Sequence, residues 1–396
     1  VDTEISKAKG EISPENQSVN EEKPPFLWIQ ASVFSLTFLI AAIGVPWYAL
    51  AVGFEWSAII AFILFLFATG LSITAGYHRL WSHNAYKAHW SLRLFFALFG
   101  AATVQNSILS WCTGHRRHHR YVDDNDKDPY SARRGFWFSH IGWMLRAWPS
   151  GKEDLSNVQD LTRDPIVMWQ EKHYVTITWI MNLAPPLLVG FFTGDYLANL
   201  LLMGFARLVI THHTTFFINS LAHYWGRQPF SDQNTAKDNG LIALFTHGEG
   251  YHNFHHHFQT DYRNGIRWFD YDPTKWLIKA CSWLGLAWDL KKVPKFKIRE
   301  AQVAMQLRRA EAQIERASDA EKWQALLEQE VEAFKQCLEQ WKAIRQATFE
   351  ETKERLAATR RDIALSANEH VKALEKALKA QLDRLNALQL QLQMAT

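Results

Sequence analysis

The sequence predicts an all-α membrane protein: two membrane-spanning helical hairpins, a helical cap on their cytosolic side and a C-terminal helical extension. Three observations carry this. Long uncharged runs come in two pairs, the first divided by Glu55 and the second by Asp195. Sixteen of the 17 His lie between His78 and His257, most of them in the charged segments around those runs. From about Ile298 Trp, Gly and Pro become scarce, and Ala, Leu, Gln, Glu, Lys and Arg take over.

Composition excludes several alternatives. Lys+Arg is 43 against Asp+Glu 40, a formal charge of +3, which gives no reason to expect a nucleic acid partner. Hydrophobic residues at 48% and aromatics at 14% exclude disorder of the whole chain. Cys112, Cys281 and Cys337 share no pair spacing, so neither a disulfide framework nor a Cys-based zinc site fits. The mean hydropathy of −0.21 averages two unlike halves.

Residues 1–25 read as a mobile N-terminal tail. Residues 1–23 are polar, aperiodic and without the apolar core of a signal peptide, and Pro24 and Pro25 end them. Phe26 to Phe54 and Trp56 to His78 contain no charge, and each can cross a bilayer, which takes about 20 apolar residues. The first two spans are therefore placed at about 26–51 and 56–78, with Pro46 tolerated inside the first. Leu94 to Cys112 is also near spanning length. A crossing there would put histidines on opposite sides of the membrane, and the stretch carries Gln105, Asn106 and Ser107. It reads instead as an amphipathic or partly inserted helix on the cytosolic side. The third and fourth spans fall at about 174–194 and 196–218, with Pro185 and Pro186 interrupting and kinking the third. The Glu55 and Asp195 turns lack Lys and Arg. The other connections carry Arg79, Arg116, Arg117, Arg120, Arg133, Arg134 and Arg227 among others, which places them and both termini in the cytoplasm.

Residues 298–396 form the extension, with 16 basic and 16 acidic residues. Leu327, Val331, Phe334, Leu338 and Trp341 step by 4, 3, 4, 3. Val371, Leu374, Leu378, Leu385, Leu388 and Leu392 fit the same heptad, with Gln381 as one polar insertion. That spacing makes a coiled-coil seam. Capping-box spacing at Ser318–Glu321 and Thr348–Glu351 predicts a helix broken into two or three pieces. The seam should dock on the cap, on its own partner helices or on another chain as an oligomer contact. Truncation near Phe296 should then leave the chemistry of the cap intact.

Three histidine clusters carry the chemistry: His78-Arg-Leu-Trp-Ser-His83, His115-Arg-Arg-His118-His119 and His252-Asn-Phe-His255-His256. His223 stands alone, one helical turn after Asn219. Positions i, i+3 and i+4 share a helix face, so the second and third clusters can each point one way. His78 and His83 are five apart and diverge on an ideal α-helix, which predicts a break between them or an approach to the site from different elements. Neutral imidazole ligates iron, zinc, copper and nickel. Nine nitrogens exceed what one centre can use and suit two centres of four or five ligands, that is, a di-metal site in the cytosolic cap. Near-absence of Cys argues against iron–sulfur clusters, and a haem needs only one or two axial His. A redox-active pair of iron ions is the natural choice, and zinc can replace it in recombinant protein. His89, His140, His173, His247 and His370 have no partner pattern, His257 falls off the shared face, and His212 and His213 are assigned to the apolar span.

At this point the sequence resembles the membrane acyl-CoA desaturases of the stearoyl-CoA Δ9 type. The matching residues are HRLWSH (His78–His83), HRRHH (His115–His119), Asp128–Trp143, Asn219-Ser-Leu-Ala-His223 and GEGYHNFHHHF (Gly248–Phe258), in family order over about Phe26 to Leu290. The resemblance implies four spans under a cytosolic cap with a di-iron site in a desaturase domain over residues 26–297. It implies that His78, His83, His115, His118, His119, His223, His252, His255 and His256 bind the irons and that Asn219 holds a metal-bound water. It also implies a kinked acyl tunnel shaped by Gln105, Trp111 and Thr215, with Asn106 and Phe216 beside them. Phe216 replaces the Trp usual after the tunnel Thr.

Family members that hold CoA tightly carry an Arg-Asp pair before the second cluster, and Thr113 and Gly114 replace it. CoA should therefore be held more weakly, or another thioester or a lipid-bound chain used, with Arg146 as a candidate for phosphate. Some fungal relatives fuse cytochrome b5 at the C-terminus. This tail has one His and no His-Pro-Gly-Gly, so electrons should come from a separate donor of cytochrome b5, ferredoxin or rubredoxin type with its reductase.

The implied reaction removes two hydrogens from adjacent CH2 groups of a saturated fatty acyl thioester, acyl-CoA above all, with O2 as co-substrate. No side-chain acid or base can do this, so the metal pair supplies the chemistry and the protein the position. Gly70, eight residues before His78 and roughly 12 Å from the metal end, lines the tunnel's far end or packs helices. Two alternatives stand beside this reading: a hydroxylase or alkane monooxygenase of the same histidine-rich superfamily, and a membrane metal carrier. Carriers place ligands at membrane depth, whereas these cluster in charged segments. With neither ER-retention nor transit signals, the chain fits a bacterial inner membrane or the ER membrane.

Overall fold

A computed structural model describes residues 23–314, 320–354 and 361–395. The predicted tail over residues 1–22 lies outside them. Among the described residues four helices are long and apolar enough to cross a membrane: α1 (Trp28–Ala51), α2 (Trp56–Ser82), and later Pro165–Thr193 and Tyr196–Tyr224. Trp28, Ile29, Leu36, Leu50, Leu64, Phe191 and Phe192 all face outward from these helices. In water that would be a very large apolar patch, whereas lipid covers it without cost. Tyr48 Oη donates to Asp195 Oδ2 at 2.5 Å, so the turn of one hairpin is tied to the turn of the other at the same end of the bundle.

At 27 residues α2 is about 40 Å long, some 10 Å more than a hydrocarbon core of about 30 Å. Its last turns therefore reach the cap. They do so without the predicted break. Ser72–Ser82 is wound as a π-helix, and the His83 amide donates to the His78 carbonyl at 3.1 Å, five residues back. The wider turn brings residues five apart onto one face, which an α-helix does not.

The Leu94–Cys112 stretch is two helices, α3 (Trp90–Ala101) and α4 (Ile108–Tyr121), with a break at the polar Gln105-Asn106-Ser107. Ser107 caps α4 by accepting from the Ser110 amide. The third span, α5 (Pro165–Thr193), begins nine residues before the predicted 174 because Asp164 caps it and Pro165 occupies its first turn. Pro185 and Pro186 do not end it; the helix continues to Thr193. The fourth span, α6 (Tyr196–Tyr224), carries a π-helical segment over Leu200–Ala206.

The cap is completed by α7 (Gly240–Phe245), α8 (His252–His257) and α9 (Pro273–Trp283). Strand β1 (Lys87–Ala88) pairs antiparallel with β2 (Ala287–Trp288), closing the far end of the cap against the end of α2. Arg79, 1% exposed, donates to Glu249, to Asp272 at the start of α9 and to the Tyr262 carbonyl. A buried cation so matched fixes α2 against the loops around α8 and α9. Removing one partner from such a pair costs about 3–5 kcal/mol.

The extension comprises α10 (Lys295–Ile314), α11 (Ala320–Glu354) and α12 (Arg361–Ala395), which pack on one another. Phe296, Val303 and Leu307 meet Leu327 and Phe334 of α11 and Leu378 and Leu385 of α12. The heptad seams thus cover each other within one chain. Gln381, the polar insertion, is buried and donates to the Glu330 carbonyl at 2.7 Å.

Thr348 lies inside α11, so its capping box starts no helix there; the helix runs on to Glu354. Ser318, and the side chains of Val371 and Leu392, lie outside the described residues. The predicted boundary near Phe296 falls inside α10. Ile298 and Ala301 of α10 pack against Phe254 in the middle of α8, and Arg308 pairs with Asp232. The first turns of α10 thus pack the extension onto the cap.

Candidate metal centre and substrate cavity

Four elements bring nine imidazoles together: the end of α2, one face of α4, the end of α6 and α8. They form two sets, His78, His83, His115, His119 and His255, and His118, His223, His252 and His256. Within each set the ligand atoms all lie within 4.8 Å of one another. Helices α4 and α8 each contribute to both sets, and the His119 and His256 rings stack across them with centroids 4.2 Å apart.

The chemistry of the donors fits metal ions. Nε2 atoms face each other in His78–His255 (2.9 Å), His83–His115 (2.9 Å), His119–His255 (3.0 Å), His252–His256 (3.1 Å) and His118–His256 (3.3 Å). Outside the rings, acceptors take the Nδ1 side. His78 Nδ1 lies 3.0 Å from Glu249 Oε2, and His118 Nδ1 is 2.9 Å from Asp128 Oδ1. His223 Nδ1 is 2.8 Å from Thr235 Oγ1, and His115 Nδ1 is 3.3 Å from Tyr130 Oη. A ring that donates through Nδ1 presents a bare lone pair at Nε2. In His78–His255, His83–His115 and His118–His256 such a lone pair faces a second imidazole nitrogen, and a cation at the centre would take both as ligands. Burial, then the neighbouring imidazoles, holds His83, His115, His119, His255 and His256 well below the usual histidine range, in the neutral form that ligates. His252 is lowered likewise, by burial and then by His223.

These supporting residues were not identified from sequence. Glu249 stands in the quoted Gly248-Glu249-Gly250, and Asp128 opens another quoted stretch; an acid beside a histidine cluster is the signal that could have found them. At Glu249 burial works upward, but His78 and Arg79 outweigh it and hold the carboxyl at about 2. Thr235 carries no such signal. It is held by Asp123, which accepts from its amide and its hydroxyl at 2.7 Å each.

A cavity of about 790 Å3 opens onto this centre, with His78, His115, Asn219 and Glu249 in its wall. Gln105, Asn106, Trp111, Arg146, Thr215 and Phe216 also line it, as do Thr113 and Gly114. Gln105 Nε2 donates to Thr215 Oγ1 at 3.1 Å, and the Trp111 ring stacks on His115 at 4.8 Å.

Two candidate substrate residues have further contacts of their own. Gly70 lies outside this lining: it is buried, and a Cβ there would come 2.5 Å from Cε1 of His247. A larger side chain at Gly70 would have to displace that imidazole. Arg146, in the cavity wall, also donates to the Pro24 carbonyl at 2.8 Å with its guanidinium over the Phe26 ring. Arg117 and Lys152 are the other cations in the wall, and Arg117 donates to the Ser150 carbonyl.

The other described histidines stay apart from the two sets, and the side chain of His370 lies outside the described residues. His89 caps α3, His140 joins His213 to Ser220, and His257 is exposed. His212 is in neither set but does line the cavity.

The fatty acid desaturase family profile matches residues 54–289. Acyl-CoA desaturase 1 of Saccharomyces cerevisiae is 50% identical over 242 residues, 61% of this chain and 47% of that protein. A probable acyl-CoA desaturase of Schizosaccharomyces pombe is 48% identical over 239 residues, 60% of this chain and 50% of that one. The Delta(9)-fatty-acid desaturase fat-7 of Caenorhabditis elegans is 37% identical over 280 residues, 68% of this chain and 81% of that one. The chain thus spans about half the length of the two yeast relatives.

Proposed function

This chain belongs to the fatty acid desaturase family, and from that premise we propose that it is an oxygen-dependent fatty acyl desaturase placing a cis double bond, at the Δ9 position, in a saturated chain carried as a thioester. The observation that carries this reading is one cavity of about 790 Å3 whose wall includes His78 and His115 of the five-histidine set, beside which the four-histidine set converges.

The nine histidines would hold two iron ions, with Asn219 in the cavity wall as the tenth metal-side residue. An iron pair with O2 supplies the oxidising power needed to break unactivated C–H bonds. The chain's own residues supply position. Leu27, Phe34, Ile73, Trp111 and Phe216 give the cavity apolar walls, and each CH2 withdrawn from water there is worth about 0.8 kcal/mol. The Gln105–Thr215 contact crosses between α6 and the α3–α4 linker, and a chain bent past it favours a cis product.

The names of the relatives support acyl-CoA as carrier, while Thr113 and Gly114 leave the wall before His115 uncharged. Electrons reach the centre from a donor outside residues 298–396, of cytochrome b5, ferredoxin or rubredoxin type. Residues 26–297 are the desaturase unit and 298–396 its extension. The metal side of the bundle faces the cytoplasm, in keeping with the cations around it.

The test is a set of His→Ala variants with metal and product read together. Each of the nine should lose most activity and part of its metal, while His89→Ala keeps both. Full activity with two irons in His118→Ala would refute the assignment.

A further inference from the structure

The linker between α3 and α4 starts in the protein interior at Ala102 and Thr103, passes an exposed Asn106 and is buried again at Ser107; its buried backbone groups must find partners inside the protein. Five backbone groups in or beside it find a side chain of α5 or α6. The Ala101 carbonyl accepts from Thr178 (3.3 Å), Ala102 from Arg207 Nη1 (2.7 Å) and Thr103 from His212 Nε2 (2.7 Å). The Asn106 amide donates to Tyr174 Oη (3.0 Å) and the Ile108 amide to Gln170 (3.0 Å). Arg207, Ala102 and Thr103 are fully buried, and the other described partners of Arg207 are carbonyl oxygens as well.

Between these anchors the backbone is strained. Val104 has φ +55° and Asn106 φ +75°. A β-branched residue in the left-handed region is a genuine outlier, which persists only where its surroundings over-determine it. The held residues Val104, Gln105 and Asn106 all line the cavity. Ser107 then begins α4, and His115 follows Ile108 by seven residues, about 10 Å along the helix. The linker therefore fixes the distance between one wall of the cavity and a histidine of the metal centre.

We propose that Arg207, His212 and Tyr174 are positioning residues that determine specificity: by gripping Ala102, Thr103 and Asn106 they set which methylene pair of a bound chain lies at the metal centre. The inference rests on the desaturase reading and adds to it three residues that touch neither metal nor reacting atoms.

The test compares His212→Phe and Tyr174→Phe, which delete one anchor each, with His212→Gln, which keeps a donor. Iron-loaded enzyme is given saturated acyl-CoAs of increasing length, and double-bond position is read by mass spectrometry. In parallel, thermal shifts of the purified protein are recorded with the same thioesters. Wild type should give one position and a sharp chain-length dependence of the shift. His212→Phe and Tyr174→Phe should each raise a second positional isomer about tenfold, equivalent to about 1.4 kcal/mol, and broaden the chain-length dependence; His212→Gln should restore both. An unchanged position and unchanged dependence in both deletions, with or without a lower rate, overturns the proposal and makes the anchors merely structural. Should His212→Phe fail to fold, Tyr174→Phe decides alone. A wild type that neither binds nor desaturates any acyl thioester sinks the desaturase reading first, and this inference with it.

Discussion

Replacing Asp128 by Asn should weaken one set of histidines and spare the other. Asp128 is fully buried; its Oδ1 lies 2.9 Å from His118 Nδ1 and 3.1 Å from the Tyr130 amide, and its Oδ2 accepts from the Asp123 amide at 3.1 Å. Asn has the same shape but only one acceptor. Its NH2 must face either the His118 Nδ1–H or the Asp123 N–H, donor against donor. An unsatisfied buried donor costs about 1–3 kcal/mol. The histidine also loses the carboxylate that fixes its tautomer, and such losses typically cost 10- to 100-fold in metal affinity, about 1.4–2.7 kcal/mol. His118 belongs to the four-histidine set, whereas Glu249 supports the five-histidine set through His78. Chelator competition followed by elemental analysis should therefore show Asp128→Asn passing through a state with one metal per chain at chelator levels that leave wild type with two. Equal loss of both metals, or no change, would refute the division of the centre into separately supported sets.

Glu249→Gln should do the same to the five-histidine set and also lower the melting temperature, because Arg79 loses one of its two buried carboxylates. Cutting the chain before Lys295 should reduce stability and metal content together, since Ile298 and Ala301 pack on Phe254 between two ligands of α8. Purified truncated protein with a wild-type melting curve and two metals would show that contact to be dispensable. Gly70→Leu should destabilise by about 1–3 kcal/mol through overpacking against His247. Its activity should fall uniformly across chain lengths, and a shift toward shorter chains would instead place Gly70 in the tunnel.

Much of this was legible in the sequence because lipid and metals impose simple patterns. Lipid demands long uncharged runs, which locate the four helices though not the start of the third or the end of the fourth, and shared metals demand histidines at i, i+3, i+4. What was not legible depends on neighbours. Nothing in HRLWSH distinguishes a broken α-helix from a π-helical one; the choice is made where Arg79 and both histidines must all reach the cap. The early start of α5 carried a local signal, Asp164-Pro165, outweighed by the charges at Glu171 and Lys172. The Thr348 box failed because three polar residues at cap spacing also fit the face of a continuous helix. The helical linker anchors were hidden for another reason. Arg207, His212 and Tyr174 look like ordinary residues of apolar spans, and only the fold shows that the carbonyls and amide they serve belong to the break at residues 102–107.

The central claim is that nine histidines hold two irons beside a cavity where a saturated chain is desaturated. The most direct measurement loads the purified protein with iron under anaerobic conditions and counts metal per chain. Reductant, O2 and saturated acyl-CoA are then added, and the products are read by mass spectrometry. The account predicts two irons per chain and a product lighter by two hydrogens with one cis double bond. A product heavier by one oxygen, or a protein that holds two metals and consumes no O2 in the presence of any acyl thioester, would contradict it.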